Sequence, residues 1–210
     1  MCARYYIDDF LVKKVEDELD KVEGQAPSVR SGDMHPSENV PVLAEDPSYR
    51  GEHSRFSSEN MHDMAPCWEL MDWGFPTSNG KGLIINGRSE TVREKYTFRD
   101  CFLNRRCVVP AHAFYEWDGR KEKITFSRED DAVLYLAGLF QDSLQGHRFV
   151  ILTAQAPEEI YHIHERIPLI FGKEDVSAWI YDDSAAEGLL RVQPPRLRLY
   201  REYEQQRFSL

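Results

Sequence analysis

The sequence predicts a single α+β domain with a β-barrel-like or sandwich core of mostly antiparallel strands and helices at its periphery. Short runs rich in Val, Ile, Leu, Phe, Tyr and Trp recur through the middle of the chain, with turn residues between them at regular spacing. The helical patterns fall before and after that middle. A chain of 210 residues, 41% hydrophobic and 30% charged, is sized for one substantial core. The domain is expected to run over residues 2–210.

Asp8-Asp9 ahead of Leu11, Val15, Leu19 and Val22 predicts a capped amphipathic helix over 9–22. Residues 24–38 and 45–65 are rich in Gly, Pro, Ser, Asn and charge and read as loops. The second is long for a compact domain. Strands are predicted over 40–43, 68–74, 83–86, 107–109, 113–117, 123–127, 134–139 and 149–153. Asp118-Gly119 is a hairpin-turn signal. Residues 157–162 open a helical turn, 173–180 and 184–191 read as helices, and 197–208 as a last strand. There is no internal repeat, low-complexity tract or Gly-rich phosphate loop.

Composition excludes several classes. No apolar run is long enough to cross a membrane, and MCARYYIDDF lacks the basic-then-apolar order of a secretory signal. The four cysteines, Cys2, Cys67, Cys101 and Cys107, form no CxxC pair, which fits a reducing compartment and gives no zinc signature. A cytoplasmic monomer is the expectation, nucleoid-associated if the source is bacterial. Net charge is −10, against general nucleic-acid binding. The charge is uneven: residues 1–60 carry 7 basic and 13 acidic side chains, whereas 86–106 carry six basic and three acidic ones. A local basic face on an acidic protein follows.

Cys2 is the second residue, and removal of Met1 would make it the N-terminus. It would then carry a thiol and an α-amine on one skeleton, with ordinary pKa values near ~8.5 and ~7.7–8.0. Such a 1,2-aminothiol captures aldehydes: the amine makes a Schiff base, then the sulfur closes a thiazolidine ring. The alternative is a small buried hydrophobe. Three polar clusters interrupt the apolar strands. In Ile84-Ile85-Asn86-Gly87-Arg88-Ser89-Glu90-Thr91, a strand runs into polar residues, either at a sheet mouth or as a simple turn cap. In Ala113-Phe114-Tyr115-Glu116-Trp117, alternation puts Glu116 on the face of Phe114. Pointing inward, it would have a raised pKa suited to proton transfer; pointing outward, it is a surface carboxylate. In the cluster from Tyr161 to Pro168, His162 and His164 could form a metal pair, but no third ligand stands at a recognisable spacing. No metal is assigned. A His on a turn at a site edge is suited to proton transfer near neutral pH.

Together these clusters resemble the SRAP family (SOS response-associated peptidase domain). The resemblance rests on Cys2-Ala3-Arg4, Trp73-Gly74-Phe75-Pro76, the Asn86–Thr91 cluster, Arg106-Cys107-Val108-Val109-Pro110, Phe114-Tyr115-Glu116-Trp117, Ala137-Gly138-Leu139 and His164-Glu165-Arg166-Ile167-Pro168, in the family's order. It covers residues 2 to about 180, with 181–210 a divergent, short tail. It implies recognition of abasic sites in single-stranded DNA and a thiazolidine cross-link from the N-terminal Cys that shields the lesion. It also implies that Asn86 holds the attacking group or sugar, that Glu116 is general acid/base, and that His164 helps open the sugar ring. Arg4, Arg88 and Arg166 would contact phosphates, with Ser89 beside them, and Trp73 and Trp117 would wall a base or sugar. No cofactor is implied. The chain departs from the family pattern at Ala3 (usually Gly), Gly87 (usually Ala) and Ile167 (usually Met). The family name suggests an alternative, a cysteine-dependent (auto)peptidase with Cys2 as nucleophile and His164 as base.

Overall fold

The computed structural model describes residues 2–25, 27–28, 30–46, 64–144 and 146–201. The chain opens with β1 (Tyr5–Ile7), α1 (Leu11–Glu18), β2 (Gly32–Met34), β3 (Asn39–Ala44) and β4 (Cys67–Trp73). A short hairpin follows, β5 (Phe75–Pro76) and β6 (Leu83–Ile84), and then β7 (Asn86–Arg88). A single 3-10 turn at Ser89–Thr91 leads to α2 (Tyr96–Asn104). The middle is β8 (Arg106–Ala111), β9 (Ala113–Trp117), β10 (Lys123–Arg128), β11 (Leu134–Ser143) and β12 (Gly146–Gln155). The chain continues through α3 (Glu158–Tyr161), β13 (Arg166–Pro168), β14 (Ile170–Phe171), α4 (Val176–Tyr181), α5 (Asp183–Leu189) and β15 (Leu197–Arg201).

Five strands close on themselves in the order β12-β4-β3-β8-β11 and back to β12, which makes a small barrel. All its pairings are antiparallel except β12 with β4, where Phe149 lies opposite Trp73. Closure leaves these strands no open edge along the ring and fills the interior with side chains. β12 is longer than the ring needs. Its first half completes the barrel, and its second half carries β7 on one side (Ile151 opposite Asn86) and β13 on the other (Ala154 opposite Ile167). A second, antiparallel sheet runs β15-β10-β9-β1-β2. The buried apolar residues form one cluster that runs through both sheets, from Cys2 and Tyr5 to Trp179 and Leu190.

The α+β architecture with a barrel core is as the sequence predicts. The strand predicted over 113–117 is β9, and the other predicted strands are found with shifted ends. The first helix is shorter than 9–22: Asp8 accepts a 2.8 Å hydrogen bond from the Phe10 amide, and the helix begins at Leu11. Its buried face is Leu11 and Val15, and Glu18 at its end accepts from the Val133 amide and the Tyr135 hydroxyl. Four features correct the sequence reading. Residues 24–38 are not all loop, because β2 pairs with β1 there. The run over 83–86 breaks at Ile85 into β6 and β7. α2 buries Phe98, Cys101 and Phe102 on one face. Arg106 does not belong to a basic face: it is 3% exposed and donates to the carbonyls of Phe102, Trp179 and Ile180 and to Asp183. Most of the loop predicted over 45–65, and the end of the strand predicted over 197–208, lie outside the described residues.

Candidate active site

Cys2 precedes β1, and β1 pairs with β9, so the start of the chain lies along the strand that carries Glu116. The Tyr115 amide donates to the Arg4 carbonyl at 3.1 Å, extending that pairing toward Cys2. Cys2 is 0% exposed, and its thiol donates weakly to the Arg4 carbonyl at 3.6 Å. Burial, reinforced by the charge of Glu116, pushes this thiol up to about 12.

Asn86 reaches the same place from the other sheet. β7 lies parallel to the outer half of β12, and the Asn86 side-chain amide donates to the Cys2 carbonyl at 2.8 Å. Its Oδ1 is buried and accepts no hydrogen bond among the described residues. A buried acceptor left unmatched costs about 1–3 kcal/mol, so this atom is a ready partner for an incoming donor. Gly87 is needed here for space. A Cβ on it would stand 2.9 Å from Leu152 Cδ2 and 3.5 Å from the Phe98 ring. Close packing onto β12 and α2, rather than conformational freedom beside Asn86, accounts for the glycine.

Glu116 points inward, at 2% exposure. Burial pushes its carboxyl up from the ordinary value, with His164 offsetting part of the rise. His164 Nε2 stands 3.7 Å from Glu116 Oε2. The turn between α3 and β13 holds the ring by its other nitrogen: Nδ1 is 2.8 Å from the Arg166 carbonyl and 3.1 Å from the Arg166 amide. The turn thus fixes the ring by Nδ1 and leaves Nε2 facing Glu116. Glu116 and His164 thus form a pair able to share one proton, beside Cys2.

The predicted phosphate contacts divide. Arg88 is exposed and makes no ion pair among the described residues. Arg4 lies over the Trp117 ring, 5.4 Å from its centroid, and 3.5 Å from Asp33. Arg166 is engaged on every side: Nη1 and Nη2 meet Glu90 at 3.1 and 2.8 Å, and Nε donates to Thr153 Oγ1 at 3.1 Å. Thr153 in turn donates to the Gly87 carbonyl at 3.3 Å. Glu90 and Thr153 were not singled out as site residues from the sequence. Glu90 stood inside a polar cluster without a visible partner, and Thr153 ended an apolar strand.

Two expectations are corrected. Trp73 is 0% exposed, with its ring stacked on Phe149 and tilted against Tyr5 and its Nε1 bonded to the Ile85 carbonyl at 3.0 Å. It supports the segment before Asn86 from within the core and offers no open wall to a base. Ser89 is 4% exposed inside the 3-10 turn, so it forms part of the scaffold rather than a surface contact. Trp117 is half-buried under Arg4 and keeps a free part of its surface. His162 is exposed, whereas His164 faces Glu116, so the two histidines do different things. Among the described residues, no group of three His, Cys, Asp or Glu side chains is arranged around a metal position.

Fold and site therefore define a small β-barrel protein with a buried cysteine near its N-terminus, tied to an asparagine and flanked by a Glu–His proton pair. The SOS response associated peptidase (SRAP) profile matches residues 1–204, and the chain belongs to that family. It is similar to the abasic site processing protein YobE of Bacillus subtilis, 27% identical over 159 residues, covering 71% of this chain and 68% of that one. It is 31% identical over 106 residues to the abasic site processing protein YoaM of the same organism, covering 46% of this chain and 47% of that one. Similarity to the abasic site processing protein HMCES of Gallus gallus is 29% over 124 residues, covering 45% of this chain and 37% of that one. The matched stretch thus spans less than half the length of the latter two relatives. A solved structure from Bordetella bronchiseptica superposes with a TM-score of 0.72 at 20% identity, covering 95% of this chain and 99% of that chain, which shows the fold. No helix among the described residues is long and apolar enough to cross a membrane.

Proposed function

We propose that this protein recognises abasic sites in single-stranded DNA and caps them covalently through Cys2. One observation carries the reading: a buried cysteine, held through its carbonyl by Asn86 at 2.8 Å, beside a Glu116–His164 pair 3.7 Å apart. The family and the names of its relatives support the substrate.

The reaction has an order set by the thiol. Burial and the charge of Glu116 push the Cys2 thiol up, so the α-amine freed by loss of Met1 attacks first. The proton shared by Glu116 and His164 passes through His164 to the ring oxygen of the abasic sugar while the C1′ hydroxyl gives its own proton back to the pair, and the ring opens to the C1′ aldehyde. The amine adds to C1′ and one of its N–H protons goes to the aldehyde oxygen; Glu116 protonates the resulting hydroxyl, which leaves as water, and takes back the remaining N–H proton as the neutral Schiff base forms. The sulfur then adds to C1′, its proton passing to the nitrogen, and the thiazolidine ring closes. The net change is loss of one water. Asn86 Oδ1, the unmatched acceptor on the side chain that holds the Cys2 carbonyl, would accept from the amine N–H.

A Cys–His peptidase reading has less support. That chemistry needs a thiolate, whereas burial and Glu116 push this thiol up, and His164 is paired with Glu116. Release of Met1 by the same site would make any peptidase activity a self-processing step.

The test is incubation with an oligonucleotide carrying one abasic site, followed by a denaturing gel and intact-mass measurement. The expected result is a protein that has lost Met1 and forms a stable adduct, lost on Cys2→Ala and on acetylation of the α-amine. Protein with a mature Cys2 terminus that gives no adduct, or an undiminished band from Cys2→Ala, refutes the reading.

A further inference from the structure

The chain carries a net charge of −10, and many of its arginines are paired with carboxylates. Arg30, Arg128, Arg148, Arg198 and Arg201 each stand within 3.5 Å of one. In the strip from Arg88 to Arg99, one cation is paired, Arg93 with Glu187 at 2.8 Å, and three are not. Arg88, Lys95 and Arg99 are exposed, and their side chains have no hydrogen-bond or ion-pair partner among the described residues. Two acids of the same stretch are already engaged, Glu90 by Arg166 and Asp100 by Arg105. Glu94 is the remaining acid of the strip, against three unpaired cations in the count of charges.

Between Lys95 and Arg99 stands Tyr96, the first residue of α2, 99% exposed. Arg99 is one helical turn on, so its side chain rises on the face of Lys95 and Tyr96. The face is fixed relative to the Cys2 site. Phe98, two residues after Tyr96, is buried against Gly87, between Asn86 and Arg88. Lys95 is tied back to the 3-10 turn through its amide and the Thr91 carbonyl at 3.0 Å. A single exposed tyrosine needs no explanation. An exposed ring flanked by free cations, continuous with the strand that carries Asn86, is the combination by which single strands are held: rings for bases, cations for phosphates.

We propose that Lys95, Tyr96 and Arg99 form a second contact surface for the strand that carries the lesion. This rests on the DNA reading above and extends it. A base flanking the abasic site stacks on the Tyr96 ring, and the backbone runs over Lys95 and Arg99 toward Arg88. The surface reads no sequence, because every base has a face to stack. It favours an unpaired flank, because a paired base cannot lie on the ring.

The test compares wild type with Lys95→Ala/Tyr96→Ala/Arg99→Ala, on a long and a very short abasic oligonucleotide, by fluorescence polarisation and by adduct formation at saturating DNA. Wild type should bind the long strand about tenfold more tightly than the variant. The salt slope of the variant should be shallower by about 1.4, for two lost phosphate contacts. Adduct formation on the short strand should be equal in both, and Tyr96→Phe should keep the affinity. Equal binding of the long strand by both proteins overturns the surface, as does a difference seen only when the flank is duplex. If wild type forms no adduct even on the short strand, the covalent reading fails, while the affinity comparison still decides the fate of α2.

Discussion

Asn86 and Cys2 are 84 residues apart in sequence and joined by one hydrogen bond of 2.8 Å, from the side-chain amide to the main-chain carbonyl. That bond fixes the peptide carrying the nucleophile and leaves the reacting amine and thiol untouched. Asn86→Ala should therefore slow adduct formation by about ten- to a hundredfold, the equivalent of ~1–3 kcal/mol. Single-turnover rates on an abasic oligonucleotide, with DNA affinity measured in parallel, check this. A rate within twofold of wild type would remove Asn86 from the site.

Glu116 should weaken the fold that it serves. Its folded-state pKa is raised above the ordinary 4.5, so its contribution to stability is fully present below about that pH and is lost as pH rises through the raised value. Glu116→Gln should show a higher Tm than wild type at pH 8, no advantage near pH 4, and a much slower adduct. Thermal melts across pH, run with the rate assay, give the answer. A lower Tm at pH 8 would contradict the burial argument.

The same carboxylate should restrain the thiol. Burial comes first in holding Cys2 at about 12, and the Glu116 charge adds to it. Iodoacetamide should alkylate Cys2 slowly at pH 7.5, more slowly than the half-buried Cys67, and Glu116→Gln should speed the reaction at Cys2. Peptide mapping by mass spectrometry reads both sites.

Glu90 should compete with DNA. Arg166 meets it through two bonds of 3.1 and 2.8 Å, and a phosphate that wants the same guanidinium edge must displace it. Glu90 lies largely in solvent, so the pair contributes only about 0.5–1 kcal/mol to stability. Glu90→Gln should bind single strands about three- to tenfold more tightly at low salt, with a slightly lower Tm. Weaker binding would mean that Glu90 presents Arg166 to the strand rather than withholding it.

Arg106 should matter to the fold alone. It is buried and bonded to several carbonyls at the junction of α2, β8 and α4. Arg106→Ala strands those acceptors and should cost at least about 3 kcal/mol, a drop in Tm of roughly 6–12 °C. Soluble variant should still form adduct at the wild-type rate per folded molecule.

The sequence made the barrel strands visible because each carries its own apolar run, and Glu116 visible because a carboxylate interrupts one. It hid what depends on pairing at long range. β1 and β2 are three residues each, too short to show a period. α2 carries its apolar residues at Phe98, Cys101 and Phe102, but a basic, polar surround masks the stripe. The resemblance alone makes Trp73 a candidate wall for a base or sugar; the partner for its N–H, the Ile85 carbonyl, lies beyond a hairpin and is invisible in sequence. Arg106 and Arg166 look alike beside Arg88 in sequence. Only packing shows that one clamps a helix junction, one is paired with Glu90 and one has no ion pair among the described residues.

β12 gives the molecule a mechanical linkage. Half of this strand is a stave of the barrel, and the other half is the rail on which Asn86, Thr153 and Arg166 are mounted. A shift of the strand by a fraction of an ångström, caused by repacking the buried Phe149 or Val150, would carry the asparagine and the arginine with it. Core substitutions far from Cys2 would then present as rate defects in a protein that is still folded, and the rigidity of a closed ring becomes the tolerance to which the site is machined.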